Sequence, residues 1–210
     1  MLGRILGRDE AAGDYIAFYN AHLRRVTRRL AEASVVKPKV LIETYAGLST
    51  CCRAPGRHGW AEFVELSGGQ NLGAVAPAQA GGVLSMEYLL TQRPDIYIGN
   101  GGSYLQGKGL VIGPGYSTGE IREALRRLSA RPGFSSLKAV KEGCVYGIWT
   151  VLAAQPVSIL ALEQIAKWLH PRLFSDLEPS ATLAEINRRF MAVPMTGTYW
   201  LALDDSGCRR

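Results

Sequence analysis

A glycine-rich segment, Gly113-Pro114-Gly115-Tyr116-Ser117-Thr118-Gly119, follows the apolar run Leu110-Val111-Ile112 and opens a helix, the position of a phosphate-cradling loop. Its spacing is G-x-G-x-x-x-G rather than G-x-G-x-x-G. Pro114 also removes an N–H that a phosphate needs, and no clear acidic ribose partner stands about 20 residues further on. A nucleotide-binding α/β enzyme is therefore the weakest functional reading. Cys51, Cys52 and His58 could supply a nucleophile and a base, but there is no orienting acid, no G-x-S-x-G elbow and no cysteine-protease signature. No catalytic residue is assigned and the chain reads as a non-enzyme. His22, His58 and His170 are scattered and no C-x-x-C pair exists, so no protein metal site and no cofactor is expected. The four cysteines read as ordinary buried or loop thiols, with the state of Cys51 and Cys52 left open.

The remaining chemistry is recognition. Three loops combine aromatics with polar or glycine neighbours: Tyr45 to Trp60, Asn100 to Tyr104, and Trp149 to Gln155. Arg53, Arg57 and His58 add positive charge and donors suited to a carboxylate or another anionic group. If these loops leave the carboxyl ends of parallel strands, they form a cleft for a polar anionic ligand, with Tyr45, Arg53, Arg57, Trp60, Tyr104 and Trp149 as candidate contacts.

The elements behind the loops support that placement. Residues 10–33 run without proline, and Ile16, Tyr19, Leu23, Val26 and Leu30 step by three and four, predicting a long helix with one buried stripe. Short apolar runs at 39–44, 95–99 and 144–148 read as buried strands. Helices are expected at 60–66, 85–90 with Ser85 as N-cap, 120–130, 156–169 and 183–191. This alternation is α/β with a mainly parallel sheet flanked by helices.

Composition sets the outer limits. With 210 residues, 47% of them apolar and 20% charged, the chain can build a sizeable core and is not a disordered tail. No apolar run reaches the roughly 18 residues that a membrane-spanning helix needs. The first ten residues contain no apolar stretch of signal-peptide length, so no export signal is expected. The net charge of +6 is compatible with an anionic partner. Its densest cluster, Arg24, Arg25, Arg28 and Arg29, recurs at helical spacing and reads as a solvated helix face, so nucleic acid is not an expected partner.

Residues 63–71 (FVELSGGQN), 85–90 with 93–98 (SMEYLL, RPDIYI) and 137–146 (LKAVKEGCVY) resemble, in order and spacing, the carboxyl-terminal lobe of the substrate-binding proteins of iron-siderophore, haem and cobalamin ABC importers. Residues 166–171 with Phe174 resemble that family's penultimate helix. The resemblance implies a long connector helix segment at 1–36 and, at 37–210, a Rossmann-like carboxyl-terminal lobe of a periplasmic-binding-protein fold. Set against the family pattern, the amino-terminal lobe and the export leader are expected to be missing from this chain, as in a fragment or the product of a truncated gene. The resemblance also implies a small-molecule metal chelate as ligand, a ferric chelate among the choices, held at the strand-exit residues named above. Partners would be an ABC permease and its ATPase, and the location periplasmic, or lipid-anchored outside the inner membrane. Glu87 matches the exposed acidic residue that docks on the permease. The alternative is a structural remnant that dimerises through the connector helix.

Overall fold

The computed structural model describes residues 2–75, 81–204 and 208. A single turn, α1 (Leu2–Ile5), precedes α2 (Asp9–Ala33), the predicted long helix. Asp9 and Glu10 face the positive end of its dipole, and Ser34, in the left-handed region at φ 46°, ends it before Lys37-Pro38.

The buried face of α2 differs from the predicted stripe. Phe18 and Val26 are buried, Tyr19, Leu23 and Leu30 are half-buried, and Ile16 faces solvent. The line of contact runs through Tyr15, Phe18, His22, Val26 and Arg29, and part of it is polar, which apolar spacing alone does not reveal. His22 Nδ1 lies 2.6 Å from Oε1 of the buried Glu163, and Arg29 forks onto Asp176 at 2.6 and 2.8 Å. Arg25 also reaches Asp176, at 2.8 Å. Two members of the arginine cluster therefore clamp the helix to the rest of the molecule instead of only facing water.

The strands are β1 (Lys39–Glu43), β2 (Arg53–Pro55), β3 (Gln70–Asn71), β4 (Gly81–Val83), β5 (Ile96–Gly101), β6 (Val145–Trp149) and β7 (Trp200–Ala202). Five form the main sheet in the order β3-β1-β5-β6-β7, and β2 pairs with β4 as a small antiparallel ribbon. β3, β1, β5 and β6 are parallel, with Ile42 opposite Ile98 and Ile98 opposite Tyr146, while β7 runs antiparallel to β6. The central strands are buried on both faces, which accounts for their continuous apolar runs.

The helices that follow α2 are α3 (Trp60–Leu66), α4 (Leu72–Val75), α5 (Met86–Gln92), α6 (Thr118–Ser129), α7 (Lys138–Lys141), α8 (Ile159–Leu169) and α9 (Pro179–Phe190). α8 is buried almost all round, packs against α2, α3 and α9, and stacks Trp168 on Tyr146 of β6. α6 and α7 contact β6 and β5. Gly147 shows the opposed layers: its neighbours are Leu110, Ile112 and Leu125 of the α6 side.

The cysteines depart from expectation. Cys51 bonds to Cys52, and Cys144 bonds to Cys208, leaving no free thiol among the described residues. The second pair spans 64 positions and meets only because β7 returns alongside β6, where Leu203 N–H donates to Val145 O at 2.9 Å. Linear spacing carries no sign of it.

Candidate functional site

Parallel strands β1, β5 and β6 end at the same edge of the sheet, so their exits are neighbours in space. At the first exit, Thr44 donates to Arg53 O through both its N–H (2.7 Å) and its hydroxyl (2.9 Å), closing the 45–52 loop upon itself. Tyr45 stands at φ 53°, a conformation that bulky side chains seldom adopt and that survives only where surrounding bonds hold it. Those bonds come from the second exit. Tyr45 N–H donates to Asn100 Oδ1 at 2.9 Å and Ala46 N–H to Asn100 O at 2.9 Å. A Cβ on Gly101 would collide with the Leu110 carbonyl, so glycine there lets the 102–110 loop fold back onto the strand end.

One turn beyond, Tyr104 sets its ring edge-on to Tyr45, with centroids 5.8 Å apart and an interplanar angle of 77°. Its hydroxyl donates to Thr150 Oγ1, in the third exit, at 2.6 Å. Burial raises the Tyr104 pKa, the Thr150 bond lowers it and Tyr45 raises it, with a net rise that keeps the phenol protonated near neutral pH. Tyr45 and Tyr104 remain 43% and 51% exposed, so their rings are available to a ligand.

Trp149 closes β6 half-buried, its indole against Gly113 and 5.2 Å from the Tyr199 ring. It also lines a cavity of about 940 Å³, together with Tyr15, Gln155, Phe190 and the cations Arg8 and Arg189. A space of that size falls within the usual range for small-molecule sites.

The structure thus brings Tyr45, Tyr104 and Trp149 to one edge, with the Arg53 backbone tied to Thr44 beside them and the Arg53 side chain exposed. Arg57 is exposed in the turn after β2. Trp60 departs from its expected role. It is 6% exposed and packs on Phe63 at 5.8 Å in the core, because the first residue of α3 points under the helix rather than into the loop. Asn100 and Thr150 join the site instead. Asn100 carries a signal in the sequence, a polar residue closing a buried strand ahead of Gly101-Gly102, whereas Thr150 carries none.

The other candidate chemistries dissolve in the same geometry. His58 lies 3.0 Å from Glu62 in the solvent and makes no bond to Cys51 or Cys52. In the glycine-rich segment, Ser117 and Glu120 form a capping box, with Glu120 Oε2 2.9 Å from Ser117 N, so a carboxylate occupies the place a phosphate would take. Glu87 is exposed in the first turn of α5, whose N-cap Ser85 accepts from Tyr88 N–H at 3.1 Å. Among the described residues no group of three or more His, Cys, Asp or Glu could hold a metal ion, and no helix is long and apolar enough to cross a membrane.

A family model described as periplasmic binding protein matches residues 1–150. Among solved structures, the chain is similar to the TroA-like periplasmic binding protein FepB from Veillonella parvula, at 24% identity and TM-score 0.87, over 96% of this chain and 59% of that one. It is similar to CeuE from Helicobacter pylori in a Ni-His complex (18%, TM-score 0.63, 89% of this chain and 54% of that one). It is also similar to a periplasmic heme binding protein from Pseudomonas aeruginosa (20%, TM-score 0.62, 81% and 57%). The chain therefore spans less than two thirds of the length of each of these structures, and at these identities the likeness establishes the fold. No curated protein sequence matches it.

Proposed function

The chain belongs to the periplasmic binding protein family, and from that premise we propose that it is the ligand-capturing carboxyl-terminal lobe of an ABC importer's solute-binding component, with a ferric siderophore, haem or a related metal chelate as ligand. The family is one of non-enzymatic solute-binding proteins, and its members are periplasmic. The observation that carries the reading is the convergence of the three exits at one edge of the parallel sheet, where the exposed rings of Tyr45 and Tyr104 stand together and Trp149 lines a large cavity with two arginines. Aromatic faces suit a conjugated chelate, and Arg53, Arg57, Arg8 and Arg189 suit its anionic groups. In this reading α2 is the connector to a first lobe, residues 37–210 are the second lobe, and the protein works outside the inner membrane. Glu87 docks on the permease, which works with its ATPase.

The test is titration of the purified chain with haemin and with ferric catecholate and hydroxamate siderophores, read by tryptophan fluorescence. Saturable quenching that Trp149→Phe diminishes is expected. It should be weak, because a single lobe covers less than the roughly 70–90% of ligand surface that a complete pocket buries. No quenching by any probe overturns the reading.

A second reading, a homodimer through the helical segment, draws on exposed apolar side chains at Ile5, Leu6 and Ile16, the last 58% exposed. Light scattering across a concentration series decides it: a growing dimer fraction supports it, and a concentration-independent monomer rejects it.

A further inference from the structure

We propose that Asn100 is the positioning residue of this rim, one carboxamide oxygen that fixes where Tyr45 and Tyr104 stand and which way the hydrogen bonds between the exits run. The proposal rests on reading the exits as the ligand rim. Asn100 is fully buried at the end of β5. Its Oδ1 accepts from Tyr45 N–H of the first exit at 2.9 Å and from the Thr150 hydroxyl of the third at 3.0 Å. Its own backbone carbonyl accepts from Ala46 N–H. All three exits are therefore joined at one residue, and the left-handed backbone of Tyr45 is held by a bond that only an acceptor at this place can make.

Direction follows from counting protons. Tyr45 N–H can only donate, so the carboxamide must turn its oxygen toward that side, and the opposite orientation would set an NH2 group against a donor. Thr150 has one hydroxyl proton. Given to Asn100, it leaves the Thr150 oxygen free only to accept, and Tyr104 supplies the proton it accepts at 2.6 Å. The phenol proton of Tyr104 is thus committed inward, and toward the ligand Tyr104 offers its ring and its oxygen lone pairs. The rim favours a ligand that presents an N–H or O–H to Tyr104 over one that presents only acceptors.

The cost of this arrangement is visible in the same side chain. Asn100 Nδ2 is buried with no hydrogen-bond partner among the described residues. A buried donor left unpaired is unfavourable, so an asparagine here is not explained by stability alone.

Two measurements decide the proposal. The first is amide hydrogen exchange at Tyr45, with Ile98 in β5 as an internal control. Asn100→Leu should speed Tyr45 exchange at least about tenfold, the loss of one hydrogen bond, while Asn100→Asp, which keeps an acceptor, retains protection. Equal Tyr45 exchange in wild type and Asn100→Leu overturns the proposal. Should Asn100→Leu fail to fold, Asn100→Ser, too short to reach either donor, is read the same way. The second is a double-mutant cycle on the affinity of whichever of the haemin and siderophore probes binds the wild type. Asn100→Leu and Thr150→Val should each weaken binding up to about tenfold, and together no more than either alone, because both break one chain of bonds. Additive effects overturn the proposal, and a merely structural role predicts them. If no probe binds the wild type, the functional reading fails by itself and amide exchange alone decides the clamp.

Discussion

Arg131 holds the carboxylate of Glu43 in a two-point fork, Nη1 to Oε1 at 2.8 Å and Nη2 to Oε2 at 2.6 Å, at the end of β1 and immediately before the first exit. Glu43 is 1% exposed, and Tyr97 completes its surroundings by donating its hydroxyl to Oε2 at 2.6 Å. Burial, with Glu43 beside it, pushes the Tyr97 pKa well above its ordinary value, so that proton stays in place across the working pH range.

Removing the guanidinium therefore strands a buried charge. Arg131→Met should cost about 3–5 kcal/mol, the usual consequence of breaking such a pair on one side. Urea denaturation measures it. Adding Glu43→Gln to the same chain should recover part of the loss, since the charge is then gone, and a double variant as unstable as the single one would contradict this account.

The clamp of α2 on Asp176 predicts a pH dependence. Hydrogen bonds from Arg29 and then Arg25 hold the Asp176 carboxyl far below the usual carboxylate range. Because the folded pKa is depressed, the contribution is complete above the unfolded value of about 3.9 and is lost as pH falls through the folded value. Melting temperatures of wild type and Asp176→Asn should differ between about pH 5 and pH 7, roughly one unit and more above that unfolded value, and should draw together as acid is added. A constant difference down to strong acid would show that the clamp is not electrostatic. The carboxylate is exposed and salt-screened, so the difference should also shrink at high ionic strength.

Cys144–Cys208 ties the residue just before β6 to the segment that follows β7, across 64 positions. Cys208→Ser should cost about 2–4 kcal/mol under oxidising conditions, the usual range for a disulfide closing a long loop. Calorimetry with and without dithiothreitol checks it: the reductant should bring wild type toward the variant in melting temperature.

Glu87 makes no hydrogen bond through its carboxylate among the described contacts and stands exposed at the start of α5. Glu87→Lys should therefore leave stability within about 0.5 kcal/mol of wild type, as surface substitutions do. If α5 docks on a permease as proposed, stimulation of ATP hydrolysis by the cognate transporter in membrane vesicles should fall at least about tenfold, since the substitution reverses the charge offered there. Unchanged stimulation would remove Glu87 from the docking surface.

What the sequence makes legible follows the physics of each signal. β1, β5 and β6 are readable because strands buried on both faces must be apolar throughout, and once they are parallel the exits at Tyr45, Tyr104 and Trp149 follow. β3 is only two residues long and polar, and exists because Lys39 and Val40 pair with it. Phe18 goes unnoticed because His22 and Arg29 share its line of contact and read as polar. Trp60 is misread because a tryptophan at a loop–helix junction has the same spacing whether it points inward or outward. Asn100 and Thr150 are 50 residues apart, and their importance comes from an encounter that no local pattern encodes.

The polar ties of α2 have a mechanical meaning. Tyr15 donates to Pro156 O at 2.6 Å, and Tyr19 shares a hydrogen bond with Ser158 Oγ at 3.2 Å, both a few residues downstream of Thr150. Among the described residues, the first and second exits show no such side-chain bond to the helix. With His22 on Glu163 and Arg25 and Arg29 on Asp176, these bonds fasten α2 along its length to the chain between Pro156 and Asp176. Helix and segment are braced as one strut, and the hydroxyl that receives the Tyr104 proton lies six residues ahead of its first tie, Pro156.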